Sequence, residues 1–315
     1  MLSRTADHLY WMSRYIERAE SLARLVDAHY RMSLLPQSGD TLEQALASTM
    51  KALLMEHAYG ERHATIEPRT VFEFVSLEAT YPGSIVSCLK AARENARAVR
   101  GSLTSELWET LNSTWLEART FRNRGSPRAD IGQFVEWVKE RSNLTRGVTI
   151  GTMLRDEAFH FTRIGTFLER ADSTARILTA HQDDLRPGAE AEGVPDPYQW
   201  SVLLRALSAF EVYRRIYRNV ITPYKVAQML ILRDDMPRSL LRCCKELYQN
   251  LKSVSNEQSA ETERRAGEMH AQLHFAQMEA IIAEDLPRFL EQFLARLRDL
   301  GDRIASDFLV PPAEA

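Results

Sequence analysis

The sequence predicts an all-α fold, a helical bundle with two pseudo-symmetric halves, and three observations predict it. Apolar residues recur at three- and four-residue steps through most of the chain. Helix breakers are few, 13 Gly and 12 Pro among 315 residues, and alternating strand-type patterns are scarce. A segment near the N-terminus returns, charges included, in the middle of the chain.

Spacing predicts a first helix from Ser3 to Leu34. Leu9, Met12, Ile16, Ala19, Ala23, Val26 and Tyr30 share one face. A second stripe of Trp11, Tyr15, Leu22 and Leu25 widens that surface, so the helix packs on more than one side. Pro36 and Ser38-Gly39-Asp40 end it, and Thr41 can cap a helix over Leu42 to His57. A short helix is expected over Arg69 to Glu78. Pro82-Gly83-Ser84 makes a turn and cap, followed by a seam of Ile85, Leu89, Ala92, Ala96, Val99 and Leu103. Ser105 to Phe121, Pro127 to Leu144 and Met153 to His181 read likewise. Gln182 to Pro197, with three prolines and two glycines among acids, reads as a linker. Beyond it helices are expected over Tyr198 to Val220, Pro223 to Leu232 and Ser239 to Val254, then a charged tail helix or pair ending near Phe308. In domain terms, residues 1–182 form a bundle holding both copies of the repeat and 183–197 a linker. Residues 198–315 add helices to the same bundle, giving one compact domain.

Composition removes several classes of function. The chain is 44% hydrophobic and 26% charged, with 40 basic against 43 acidic residues and a net charge of -3. That balance exerts no global pull toward nucleic acid or acidic membranes. Cys88, Cys243 and Cys244 make neither a disulfide framework nor zinc-ligand spacing, and read as buried thiols in a reducing compartment. Charges interrupt the N-terminal stretch too often for a signal peptide, and no apolar run approaches the ~20 residues of a membrane span. The expectation is a cytoplasmic protein.

The repeat pairs His8–His29 with His160–His181 at an offset of 152, and nine of 22 positions are identical. Glu17/Glu169, Arg18/Arg170, Ala19/Ala171 and Arg24/Arg176 are among them. Charged identities carry the inference, because any two amphipathic helices agree at apolar positions. Arg18 lies on the stripe of Trp11, Tyr15, Leu22 and Leu25, and Arg170 on an equivalent stripe between Phe167 and Ile177. A guanidinium placed there needs a carboxylate or a ligand anion. Glu17 and Glu169 sit about 100° round the helix from their arginines, so each acid meets a different neighbour. Two readings stand: buried ion-pair nodes that fix how the halves pack, or a polar central site built from both.

The strings LYWMSRYIERAE, SIVSCLKAARENARAVR, SELWETLNSTWL, TMLRDEAFHFTRIGTFLERAD and MPRSLLRC resemble the alpha-E family, an all-helical group named for its Glu-Arg signature. The likeness runs from Met1 to about Cys244, and is expected to extend to the end. It departs from the family at Ser13, where Gly is usual, and at Thr166, where Arg usually precedes the second Leu-Glu-Arg block. Arg14 keeps the basic residue in the first copy only. The resemblance implies a circularly permuted ATP-grasp protein as partner, with a transglutaminase-like protein and an Anbu-type, proteasome-like peptidase in the same company. It therefore implies an accessory protein of an amide-ligase system that makes or modifies peptides, binding the ligase or its substrate.

Read from residues alone, an enzyme in its own right would use Glu17 and Glu169 as acid/base groups, with Arg18, Arg170 and Arg97 as anion clamps. A purely structural scaffold is the third reading. Further binding candidates are Arg14, and the crowded helix of Arg93, Glu94, Asn95 and Arg97, where Arg93, Arg97 and Arg100 share a face. Arg155, Asp156 and Glu157 open the helix of the second signature, where acids suit the helix dipole. Glu157 and His160 have di-iron Glu-x-x-His spacing, but no second such pair exists, so no metal is expected. No phosphate-binding glycine loop or nucleophile elbow appears, and no cofactor is expected. Pro237-Arg238-Ser239 reads as a helix cap, with anion binding at that helix start as the alternative.

Overall fold

The computed structural model describes residues 1–34, 39–123, 127–181, 197–218 and 220–310. Among the described residues the chain forms 15 α-helices and no strand, as the apolar periodicity requires. The first half holds α1 (Ser3–Ser33), α2 (Gly39–Ala52), α3 (Glu56–Gly60), α4 (Pro68–Leu77), α5 (Ile85–Ala98), α6 (Ser105–Asn123) and α7 (Pro127–Thr152). The second holds α8 (Glu157–Ala180), α9 (Pro197–Ala206), α10 (Phe210–Tyr217), α11 (Pro223–Leu232) and α12 (Leu240–Ser253). It ends with α13 (Ala260–Phe275), α14 (Met278–Glu284) and α15 (Leu286–Phe308). The segment read as a linker falls almost wholly outside the described residues, as do Pro36 and Ser38.

The core is organised around α1 and α8, which carry the two signatures. Small buried residues at corresponding positions, Ala19 and Ala23 on α1 and Ala171 and Ala175 on α8, are wholly screened from solvent. The closest approach falls at Gly165, where an added Cβ would run into the Ser13 hydroxyl and the Tyr10 carbonyl oxygen. Further along, Glu17 and Arg18 meet Arg170 and Glu169. Contacts advance in the same direction on both helices, so the two lie parallel. α5 packs on α1, and α12 packs on α8. Ser84 caps α5 by accepting from the Ser87 amide, and Ser239 caps α12 through the Arg242 amide.

Several expected boundaries move, for physical reasons. The helix expected over Leu42 to His57 starts at Gly39 and stops at Ala52, and the one over Tyr198 to Val220 splits at Ala206. At each break a non-glycine residue turns left-handed, Leu54 (φ 58°) and Ser208 (φ 55°). The next amide then reaches five residues back, Met55 N to Met50 O and Ala209 N to Leu204 O. Apolar spacing continues through both breaks and no glycine marks them, so periodicity alone runs the helices together. The charged tail forms three helices, because the backbone turns at Ala276–Gln277 and again at Asp285 (φ 92°), just before Pro287. The α5 seam stops at Ala98 and gives way to a 3₁₀ turn over Arg100–Ser102. α7 continues to Thr152, and α8 waits for Asp156, whose carboxylate caps it by accepting from the Phe159 amide.

Local geometry recurs at a nearly constant separation. The breaks at Leu54 and Ser208 are 154 residues apart, and the Pro-initiated helices α4 and α11 are 155 apart. The caps Ser84 and Ser239 keep that spacing of 155. His8 Nδ1 donates to Asn95 Oδ1 at 2.8 Å, and His160 Nδ1 donates to Asn250 Oδ1 at 2.9 Å.

Because the obstruction at Gly165 includes backbone, a methyl group there forces α1 and α8 apart. Gly165→Ala is expected to lower stability by about 1–3 kcal/mol despite its better helix propensity. Chemical denaturation checks this, and a variant as stable as the parent would contradict the close crossing.

Candidate functional site

Between α1 and α8 the two signatures exchange partners. Arg170 of α8 donates from Nε and Nη2 to the two oxygens of Glu17 on α1, each at 2.8 Å. In return Arg18 of α1 donates to Glu169 of α8, at 2.5 and 3.0 Å. Both are two-pronged guanidinium–carboxylate pairs, the strongest neutralising geometry a protein has. Parallel packing makes this possible, since each acid and the arginine following it point at the other helix's complementary pair. Arg170 stands at 8% side-chain exposure, whereas Arg18 at 31% lies on the rim. Aromatic rings complete the lining: the Arg170 guanidinium lies 5.1 Å from the Phe167 ring centre and Arg18 5.8 Å from that of Tyr15.

Further cations converge. Arg14 donates to Glu169 at 2.8 Å and to the Tyr10 hydroxyl at 3.0 Å. Arg238, just before α12, donates to Glu17 at 2.8 Å and to Glu20 at 2.7 Å, and is almost completely buried. Arg146 of α7 also pairs with Glu20, as does Arg24. Sequence reading missed Arg238 as part of this centre by treating Pro237-Arg238-Ser239 as a cap. Ser239 does cap α12, while the residue before it reaches the first signature. Placing Pro237-Arg238-Ser239 on Pro82-Gly83-Ser84 at a separation of 155 would have exposed the extra charge.

The electrostatics favour ionised groups throughout. Burial pushes the Glu17 carboxyl up, but Arg170, Arg238 and Arg146 together overcome it and hold the acid well below the usual carboxylate range. Glu169 is held low in the same way by Arg14 and Arg18 against its burial. Burial pushes the Cys88 and Cys243 thiols up to about 12, so neither is a ready nucleophile. All three cysteines are buried and unpaired as disulfides, as their number and spacing suggest.

Beside Glu169 a cavity of about 220 Å³ opens, lined among others by Arg18, Ser21, Gly83, Asp172 and Arg176. Asp172 accepts from Arg176 at 2.8 Å and keeps 28% of its side chain exposed. The Ser21 hydroxyl is buried with no hydrogen-bond partner. The other predicted residues lie elsewhere. Arg93 pairs with Glu94 and Asn112, Arg97 projects to solvent beside Glu94, and Asn95 serves His8. Arg155 is exposed, Asp156 caps α8, and Glu157 meets the amino group of Met1. The crowded α5 face and the start of α8 therefore do not join the centre. Among the described residues no cluster of His, Cys, Asp or Glu has metal-site geometry, and no helix is long and apolar enough to cross a membrane.

The chain belongs to the alpha-E family, described as a predicted alpha-helical domain with a conserved ER motif, whose profile matches residues 1–309. It is 25% identical over 337 aligned positions to an uncharacterised protein of Mycobacterium bovis, and likewise to one of Mycobacterium tuberculosis. These alignments cover 98% of this chain but 37% of each relative, so the chain spans little more than a third of their length. No solved structure matches it.

Two outcomes follow from the ion pairs and from one buried histidine. Glu17→Ala strands Arg170 and leaves Arg238 with Glu20 as its carboxylate, and should cost about 3–5 kcal/mol, whereas Arg97→Ala on the solvent face should stay within about 0.5 kcal/mol. Comparable denaturation midpoints for the two variants would contradict the burial. His29 donates through Nδ1 to the Leu25 carbonyl, and its Nε2 is buried without a partner. Burial, aided by His181 and opposed by the Leu25 bond, lowers its pKa from 6.5 to about 4. The unfolded chain then binds a proton that the folded chain refuses, so stability is lost as pH falls from 6.5 toward 4. Glu17 and Glu169 add a second loss below their ordinary 4.5, as acid titrates carboxylates that the fold holds ionised. Urea midpoints at about pH 7.5 and about pH 5.5 should differ in the parent and much less in His29→Gln, and equal pH slopes would refute the assignment.

Proposed function

We propose that this chain is a binding partner without self-sufficient catalysis in a cytoplasmic amide-ligase system that makes or modifies peptides. It engages the circularly permuted ATP-grasp ligase or that enzyme's peptide substrate. One observation carries the reading: both signature carboxylates are already engaged by guanidinium groups and held ionised. Glu17 and Glu169 therefore lack the proton-transfer poise of an acid/base pair near neutral pH. The buried, high-pKa thiols supply no alternative nucleophile. What the centre does offer is a rigid, charged cavity at its edge, suited to recognition.

The length of the relatives supports a role beside another activity, since most of each relative lies outside the part this chain matches. A transglutaminase-like protein and an Anbu-type peptidase are further components in this proposal, cleaving or exchanging the bonds the ligase makes. The test is co-expression with the permuted ATP-grasp protein, followed by affinity purification and ATP-dependent amide formation with and without this chain. Co-purification together with a changed ligase rate is expected. A ligase that is fully active alone and shows no association discards the reading.

A further inference from the structure

We infer that the cavity beside Glu169 and Asp172 is a seat for a guanidinium group carried by a ligand, an arginine side chain on a peptide or free arginine. The protein builds a filled version of this seat itself. At the first signature the seat is made by Glu17 and Glu20, three residues apart on α1, and the guanidinium of Arg238 bridges them at 2.8 and 2.7 Å. The Arg238 carbonyl in turn accepts from Thr174 on α8 at 3.0 Å. At the second signature the corresponding acids are Glu169 and Asp172, again three residues apart, and both line the cavity. The residue corresponding to Arg238 is Gly83, one before the cap Ser84 as Arg238 is one before the cap Ser239. Gly83 lines the same cavity and supplies no side chain.

The surroundings correspond as well. Arg18 and Arg176 border the cavity where Arg170 and Arg24 border Arg238's seat, so cations at the rim do not disqualify a cationic occupant. The buried Ser21 hydroxyl, without a partner, adds an unmet polar group to the wall. Leu22, Leu25 and Ile177 give an apolar flank for an alkyl stem. At about 220 Å³ the space suits one side chain rather than a drug-sized ligand, whose pockets run to ~300–1,000 Å³. The two seats also differ. Glu20 is paired by Arg24, Arg146 and Arg238, whereas Asp172 has Arg176. Glu169 already accepts from Arg14 and Arg18 and Asp172 from Arg176, so an occupant shares carboxylates that are partly neutralised and the affinity is modest, a Kd on the order of 0.1–1 mM.

This inference deepens the binding role proposed above by naming what the pocket takes, and its test does not involve the ligase. Calorimetry and thermal shift on the full chain would use arginine, an Ala-Arg-Ala tripeptide, and citrulline as a neutral mimic of the same shape. Saturable binding of the arginine probes, with none for citrulline, is expected; the stronger of the two probes identifies a free or a peptide-borne source. Asp172→Asn, at a partly exposed position, should weaken binding about tenfold with the helical signal intact. Gly83→Arg should abolish it by filling the seat from within, provided the Tyr81 ring swings aside from the new side chain. Arg238→Ala, destabilised by losing its guanidinium, should regain part of its Tm with millimolar methylguanidinium, a direct reading of the filled seat. Equal binding of citrulline, or arginine binding untouched by Asp172→Asn, overturns the assignment even if the ligase associates normally.

Discussion

The molecule is organised by the need to keep a guanidinium away from water without leaving it unpaired. Arg170 cannot lie between α1 and α8 unless α1 brings Glu17 to it, and Arg18 is matched to Glu169 under the reciprocal condition. That exchange sets the axial register of the two helices, because sliding one by a single residue would separate every prong. It also sets their distance, which Gly165, Ser13 and the buried alanines keep short enough for two-pronged contacts. A buried ion pair adds little net stability compared with a well-packed apolar contact, yet losing one partner is severe. Its effect is therefore one of specification: few other alignments of these helices satisfy the charges.

Much of this was readable before any coordinates. Apolar steps in α1 and α8 identified the faces, and the duplicated Glu-Arg-Ala block identified the groups that meet. The placement of each acid about 100° from its arginine suggests a different neighbour for each, whereas Glu17 and Arg18 both meet α8, at Arg170 and Glu169. Helix ends were less readable where the chain turns without glycine, at Leu54 and Ser208, since neither a leucine nor a serine there marks a helix end. Arg238 was missed for a different reason. A residue beside a cap is ordinarily a surface residue, and only a long-range contact, between Arg238 and Glu17 221 positions apart, draws it into the centre. Arg93 and Arg97 illustrate the converse, because three- and four-residue spacing says which face they share but not whether another helix covers it.

The two signatures differ in how completely the chain neutralises itself. At Glu17 and Glu20, cations arrive from α1, α7, α8 and the turn before α12. At Glu169 and Asp172 they come from α1 and α8, and the turn before α5 contributes a glycine. Relaxing one copy while the other stays closed leaves the packing intact and frees one pocket, a division of labour that a single signature could not offer.

The long separation between partners bears on how the protein comes into being. A growing chain exposes the charges of its first helix well before their complements exist, since Arg18 and Glu169 are 151 residues apart. At ribosomal speeds of about 5–20 residues per second, that interval lasts on the order of 8–30 s. During it α5 and α7 can already pack on α1, while the side of α1 that meets α8 lacks its mate. Assembly of the charged centre therefore waits on the synthesis of α8, however stable the finished molecule is.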